Sequence, residues 1–142
     1  IGLPLVVAGT GPMEKQLKKI AKKNIHFEIA PDNNQLLTLL QNAKALIFPG
    51  IEDFGMIAIE AIACGTPVIA YKQGGALDFI IPHKTGEFFT EPSFESLTQV
   101  IKDFDEGKYN TQTLITFASN FNKNNFLNQI KYQIDLTLKG DN

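Results

Sequence analysis

Short apolar runs alternate along the chain with stretches whose apolar residues recur every three or four positions, the pattern of strands alternating with amphipathic helices. Leu3 to Ala8 reads as a first strand, ended by Gly9-Thr10-Gly11-Pro12. Pro12 suits the first turn of a helix to about Lys23, with Leu17, Ile20 and Ala21 inward and five lysines outside. Ile25 to Ile29 is a second strand, followed by Asp32 and Asn33 as caps of a helix carrying Leu36, Leu37, Leu39 and Leu40. Ala45 to Phe48 is a third strand, stopped by Pro49. A helix from about Gly55 to Cys64 ends at Gly65, and Pro67 to Tyr71 returns as a strand. Gly74-Gly75 breaks the chain before a short helix from Ala76 to Ile80, and Thr85-Gly86 turns into the strand Glu87 to Phe89. Ser93 caps a helix with Leu97, Val100, Ile101 and Phe104 inward. From Thr111 the pattern is helical, with Phe126, Ile130, Ile134 and Leu138 on one face. The Asn-rich patch from Asn120 to Asn128 reads as a helix boundary.

Strands that are apolar on both faces, each followed by a helix, specify an α/β fold: a Rossmann-like parallel sheet with helices on both sides. With 142 residues, 44% of them hydrophobic, the expectation is a single domain over 1–142. The chain begins with Ile, and we expect it to be a piece of a longer protein.

Charge narrows the function. A formal net charge of −2 and a pI near 5.7 provide no long-range attraction for nucleic acid or anionic membrane. All 13 basic residues are Lys, so the chain has no guanidinium to clamp phosphate or carboxylate. Cys64 has no internal disulfide partner and reads as a small filler. His26 and His83 lie far apart, outside any ligand spacing, and no metal is expected. No stretch is long and apolar enough for a membrane span.

Three motifs carry candidate chemistry. Gly9-Thr10-Gly11 resembles the opening of a dinucleotide fingerprint, but Glu14 stands where the third glycine belongs and would repel a pyrophosphate. A tight βα turn is the better reading there. The segment from Phe48 to Gly55 leaves the carboxyl end of a strand, where open α/β sheets bind ligands, and delivers Glu52 and Asp53 just ahead of a helix. Gly55 permits close approach of a ligand, and the amides of Gly55, Met56 and Ile57 are first-turn donors for an anionic group or sugar hydroxyls. The plainer reading is that Glu52 or Asp53 caps the helix. Glu60 is the only charged side chain between Phe54 and Gly65, too far along for capping. Burial in such a stretch would demand a partner, either a ligand or an internal amide or Lys. Gly74-Gly75 forms a second open loop on the same rim, beside Lys72.

From Glu52 through Phe54-Gly55, Glu60, Gly65-Thr66-Pro67-Val68 and Gly74-Gly75 the chain resembles the donor-binding signature of retaining GT-B glycosyltransferases, family 4, with a flavour of mannosyltransferases. The likeness extends upstream to Val7-Ala8-Gly9-Thr10-Gly11-Pro12 and downstream to Ile130. It implies the carboxy-terminal half of a two-domain enzyme that binds a nucleotide-diphosphate sugar, GDP-mannose or a UDP-hexose. By resemblance, Glu60 accepts hydrogen bonds from the ribose hydroxyls. Glu52 contacts the transferred hexose and orients its reacting carbon. Amides of Phe54, Gly55 and Met56 surround the sugar and diphosphate, and Gly11 lines the nucleotide cleft. The reaction implied retains anomeric configuration and uses no metal or other cofactor. The acceptor, a glycan or lipid-linked sugar, is held by an amino-terminal domain outside this chain, and the setting is cytoplasmic or peripheral at the inner membrane face.

Two departures stand out. Asp78 replaces the Glu usual after the Gly-Gly turn, and the Arg and Lys that meet the diphosphate come from a strand and helix preceding Leu3. That strand belongs between the Leu3 and Ala45 strands, so either these neighbours close up or the segment lies in the parent protein. A nucleotide-sugar epimerase of the same architecture is the alternative enzyme. From another class, a response-regulator-like interaction module would lack its acidic pair after the first strand and leave Glu60 unexplained.

Overall fold

A computed structural model describes residues 1–140; Asp141 and Asn142 lie outside the described residues. Helices alternate with parallel strands as the periodicity requires, but the strands fall into two sheets, one in each of two compact units, Ile1–Asn42 and Ala43–Asn142.

In the first unit β1 (Leu5–Ala8) pairs in parallel with β2 (Ile25–Glu28), Leu5 opposite Ile25 and Ala8 opposite Glu28. Helix α1 spans Glu14–Ile20, shorter than the expected Pro12 to Lys23. Pro12 and Met13 form a turn, and Ala21 is already extended, so the last two lysines of that stretch leave the helix. Helix α2 (Asn33–Asn42) opens with a reciprocal cap: the Gln35 amide donates to Asp32 Oδ1 at 2.8 Å and the Asp32 amide to Gln35 Oε1 at 2.9 Å. Leu40 is the one buried side chain among the described residues of this unit. Ile20, expected inward, is 71% exposed, at an open apolar hollow shared with Leu5, Val7, Leu17 and Phe27. So few residues cannot enclose a core by themselves.

The second unit contains the packed core. Its sheet has the order β3 (Leu46–Phe48), β4 (Val68–Tyr71), β5 (Gly86–Phe89), all parallel, with Phe48 opposite Ala70 and Tyr71 opposite Phe89. A helix follows each strand: α3 (Met56–Ala63) after β3, the single turn α4 (Ala76–Phe79) after β4, and α5 (Phe94–Asp103) after β5. Ser93 caps α5 as expected, accepting from the Ser96 amide at 3.2 Å. Val68, Ile69 and Ala70 are buried on both faces of β4, which explains its unbroken apolar sequence. Helix α6 (Thr111–Ala118) packs on α3 and buries Leu114.

The helical stretch expected from Thr111 is two helices. A 3-10 turn at Ser119–Phe121 separates α6 from α7 (Lys123–Gly140), and Asn122 Oδ1 caps α7 by accepting from the Asn125 amide at 2.9 Å. The Asn-rich patch is thus a helix boundary. The four-residue apolar period on α7 is present, yet Phe126, Ile130, Ile134 and Leu138 are all exposed. Periodicity selects a face; it does not supply a neighbour.

Candidate functional site

Parallel pairing of β3 with β4 brings the loop after each strand to the same edge of the sheet. The first loop runs from Pro49 to Gly55 and the second is Lys72 to Gly75. They touch: the Gly75 amide donates to the Glu52 carbonyl at 2.7 Å. A Cβ on Gly74 would sit 2.7 Å from that same carbonyl, and one on Gly75 would run into the Asp53 carbonyl. Two glycines in succession are what allow the loops to close on each other. The expected open loop is therefore a packed one.

Gly55 holds the start of α3 in a left-handed conformation, φ 79°, and is buried. A Cβ there would lie 2.9 Å from Phe48 Cζ and 3.2 Å from Phe79 Cζ, two rings that meet edge to face at 6.2 Å. Besides the close ligand approach expected from sequence, its missing side chain makes room for Phe48 and Phe79. The helix start is locked from below by the core.

Neither Glu52 nor Asp53 caps α3. Gly55 occupies the N-cap position with no side-chain bond to the first turn, and both acids are exposed. The amides of Gly55, Met56 and Ile57 meet no acceptor among the described residues, while the Gly55 carbonyl accepts from Ala58 at 3.0 Å. Three free donors at the positive end of a helix, directly after two exposed carboxylates, make a place where an anion and hydroxyl groups can be held together.

Glu60 differs from expectation in its surroundings. Helix α3 buries Ala58, Ala61 and Ile62 and leaves Met56, Glu60 and Ala63 exposed, a stripe with helical spacing. Its carboxylate makes no hydrogen bond or ion pair among the described residues, so it is not tied to an internal lysine. Burial therefore does not demand a ligand at Glu60: the run is apolar in sequence, yet one face of its helix meets water. Glu60 remains a free carboxylate on the helix that opens at the Glu52 loop. One turn on, Cys64 is half-buried, and burial first, then the Glu60 charge, raise its thiol pKa. A protonated thiol fits a filler, not a nucleophile.

The structure thus brings together Glu52, Asp53, Phe54, Gly55, Gly74 and Gly75, with Met56, Ile57 and Glu60 on the helix that follows. Gly11 belongs to the other compact unit, in a βα turn where a Cβ at Gly9 or Gly11 would meet nothing within 4 Å. Lys72 lies over the Phe88 ring at 5.9 Å, and Asp78 is exposed on α4. Missing from the sequence reading is what stands behind Phe54: its ring meets Phe121 edge to face at 6.4 Å, and Phe121 meets Phe117 at 5.5 Å. No local pattern joins residues so distant in the chain.

Residues 1–129 match the family model described as glycosyl transferases group 1. A glycogen synthase from Mycobacterium tuberculosis is 35% identical over 91 residues, 60% of this chain and 22% of that protein. A GDP-mannose-dependent alpha-(1-6)-phosphatidylinositol dimannoside mannosyltransferase from the same organism is 34% identical over 79 residues, 54% of this chain and 21% of its own length. The structure of Anabaena Alr3699/HepE in complex with UDP-glucose superposes with a TM-score of 0.67 at 22% identity, covering 96% of this chain and 41% of that one. The chain therefore spans about a fifth of the length of the curated relatives it matches. Its parallel α/β architecture is that of GT-B carboxy-terminal domains. With the family model covering nearly all of the chain, this protein belongs to the glycosyl transferases group 1 family.

Proposed function

We propose that the chain is the donor-binding domain of a retaining glycosyltransferase, which moves a hexose from a nucleotide-diphosphate sugar to a glycan or lipid-linked acceptor. The observation that carries this reading is the set of free amides at Gly55, Met56 and Ile57, placed directly after a Glu52 loop that Gly75 holds shut. The diphosphate sits at these amides, where partial positive charge meets the negative charge that grows on the leaving group. Glu52 accepts from hexose hydroxyls and fixes the angle of the reacting carbon, Asp53 and the Phe54 amide complete that rim, and Glu60 accepts from the ribose hydroxyls. Catalysis by this half is positioning and charge stabilisation, without metal or other cofactor.

Support comes from the family match and from relatives whose names specify glycogen synthesis and GDP-mannose-dependent mannosyl transfer. A structural neighbour was solved with UDP-glucose. The acceptor in this proposal is held by an amino-terminal domain of the whole protein. No helix among the described residues is long and apolar enough to cross a membrane; the proposed setting is cytoplasmic, with the parent resting on the inner membrane face.

The test is an amide-resolved NMR titration with GDP-mannose, UDP-glucose, UDP-N-acetylglucosamine, and their bare nucleotides. The expected result is movement of the Gly55, Met56 and Ile57 amides with at least one nucleotide sugar. Unmoved signals at all three amides with every probe would overturn the proposal.

A further inference from the structure

The residues from Pro49 to Phe54 make one backbone hydrogen bond among the described residues, the Gly75 amide to the Glu52 carbonyl. A loop so lightly tied needs a second anchor to hold two carboxylates in place, because a free loop samples many φ/ψ states at each residue. The structure supplies one on the side away from Gly75. The Phe54 ring meets Phe121 at 6.4 Å with planes 64° apart, and Phe121 meets Phe117 at 5.5 Å. Phe117 is carried by α6, whose Leu114 and Ala118 are buried and which packs on α3. The ring series therefore runs from the helical core of this unit to the loop that bears Glu52 and Asp53. Phe54 itself is 54% exposed, and Phe121 is its one ring contact among the described residues.

We propose that Phe121 is a positioning residue for the sugar part of the donor: it holds Phe54, and through Phe54 it sets where the Glu52 and Asp53 carboxylates stand. The proposal rests on the donor-binding reading above and adds a residue that touches neither sugar nor nucleotide. It also separates two parts of the site. Contacts from the Glu52 loop depend on Phe121, whereas Glu60 is on α3, whose start is locked by Phe48 and Phe79.

The experiment compares the full chain with Phe121→Ala and Phe121→Tyr, using calorimetric affinities for UDP-glucose against UDP and for GDP-mannose against GDP, together with amide hydrogen exchange of the ligand-free proteins. In Phe121→Ala the advantage of nucleotide sugar over bare nucleotide falls about three- to tenfold, the range an aromatic pair contributes, while bare-nucleotide affinity stays within about twofold. Phe121→Tyr, which keeps the ring, restores the advantage. Exchange quickens at the Gly75 amide, which is bonded to the Glu52 carbonyl, and is unchanged at Val68, Ile69 and Ala70. Equal losses for sugar and bare nucleotide, or an unchanged exchange rate at the Gly75 amide, would overturn the positioning role. If the wild-type chain binds none of the four probes and its Gly55, Met56 and Ile57 amides stay unmoved in the NMR titration, the donor-binding reading fails, and the exchange comparison alone decides whether Phe121 holds the loop. Should Phe121→Ala not fold, Phe121→Leu keeps apolar volume without the ring and takes its place in both measurements.

Discussion

Gly75 and Glu52 are joined by a 2.7 Å bond from amide to carbonyl, which couples two loops that the parallel sheet only brings near each other. Its existence depends on glycine at both positions of the turn, since a side chain at Gly74 or Gly75 would meet the Glu52 or Asp53 backbone. The shape of the candidate site is thus set by main chain, and the acids on it are left exposed to solvent.

Gly75→Ala tests that contact. Gly75 has an ordinary backbone, φ −59°, so the cost is steric alone: the new methyl meets the Asp53 carbonyl and lies 3.0 Å from the Phe54 oxygen. Urea unfolding should show a loss of about 1–3 kcal/mol, the usual cost of forcing a group into a filled space. Unchanged stability would mean that the loops part without penalty.

Glu60→Ala should leave stability within about 0.5 kcal/mol of wild type, because the carboxylate is exposed and unpartnered among the described residues. Nucleotide and nucleotide-sugar binding should both weaken at least about tenfold, the scale of losing a charge-assisted hydrogen bond to a ribose hydroxyl. The Cys64 thiol offers an internal check, since the Glu60 charge helps to raise its pKa. Alkylation of Cys64 at mildly alkaline pH should therefore run faster in the variant. Unaltered affinity in calorimetry would remove the ribose role.

For Glu52→Ala the expected result is a difference between ligands. Affinity for a nucleotide sugar should fall more than affinity for the matching bare nucleotide, because the proposed hexose contact would be lost while the α3 amides would still hold the diphosphate. Parallel losses in the two titrations would contradict a hexose contact.

Alkaline pH probes a structural tie outside the site. Tyr109 donates to Glu87 Oε1 at 2.6 Å, and burial first, then this bond and the Glu87 charge, hold its phenol pKa well above the usual range. The folded state binds that proton more tightly than the unfolded one. Its contribution to stability is complete below about pH 10, the ordinary tyrosine value, and is lost as pH rises beyond it. Unfolding free energies measured from neutral to strongly alkaline pH should fall less steeply above that point in Tyr109→Phe than in wild type. Identical slopes would show that the bond carries no linked proton.

The strand and helix sequence was legible because each element states its own period. The uninterrupted apolar run Val68-Ile69-Ala70 marks a strand covered on both faces, and Ser93 and Asp32 mark helix starts by their caps. Boundaries drifted where tertiary context rules, as at α1, which stops at Ile20 before the expected Lys23. The loop that bears Glu52 and the amides of Gly55, Met56 and Ile57 was legible too, since a strand, a Pro stop and a helix start are local signals.

What the residues determined by themselves is the order of elements, the parallel α/β class and the family signature around Glu52 and Glu60, all of which depend on neighbours within a few positions. Only the tertiary structure decided which groups are free. Glu60 lies in a greasy stretch yet faces water, since α3 buries Ala58, Ala61 and Ile62 and turns its opposite side outward. Gly55 serves the core through Phe48 and Phe79, and Phe54 leans on Phe121, because burial and contact are set by elements that meet in space and carry no mark in each other's sequence.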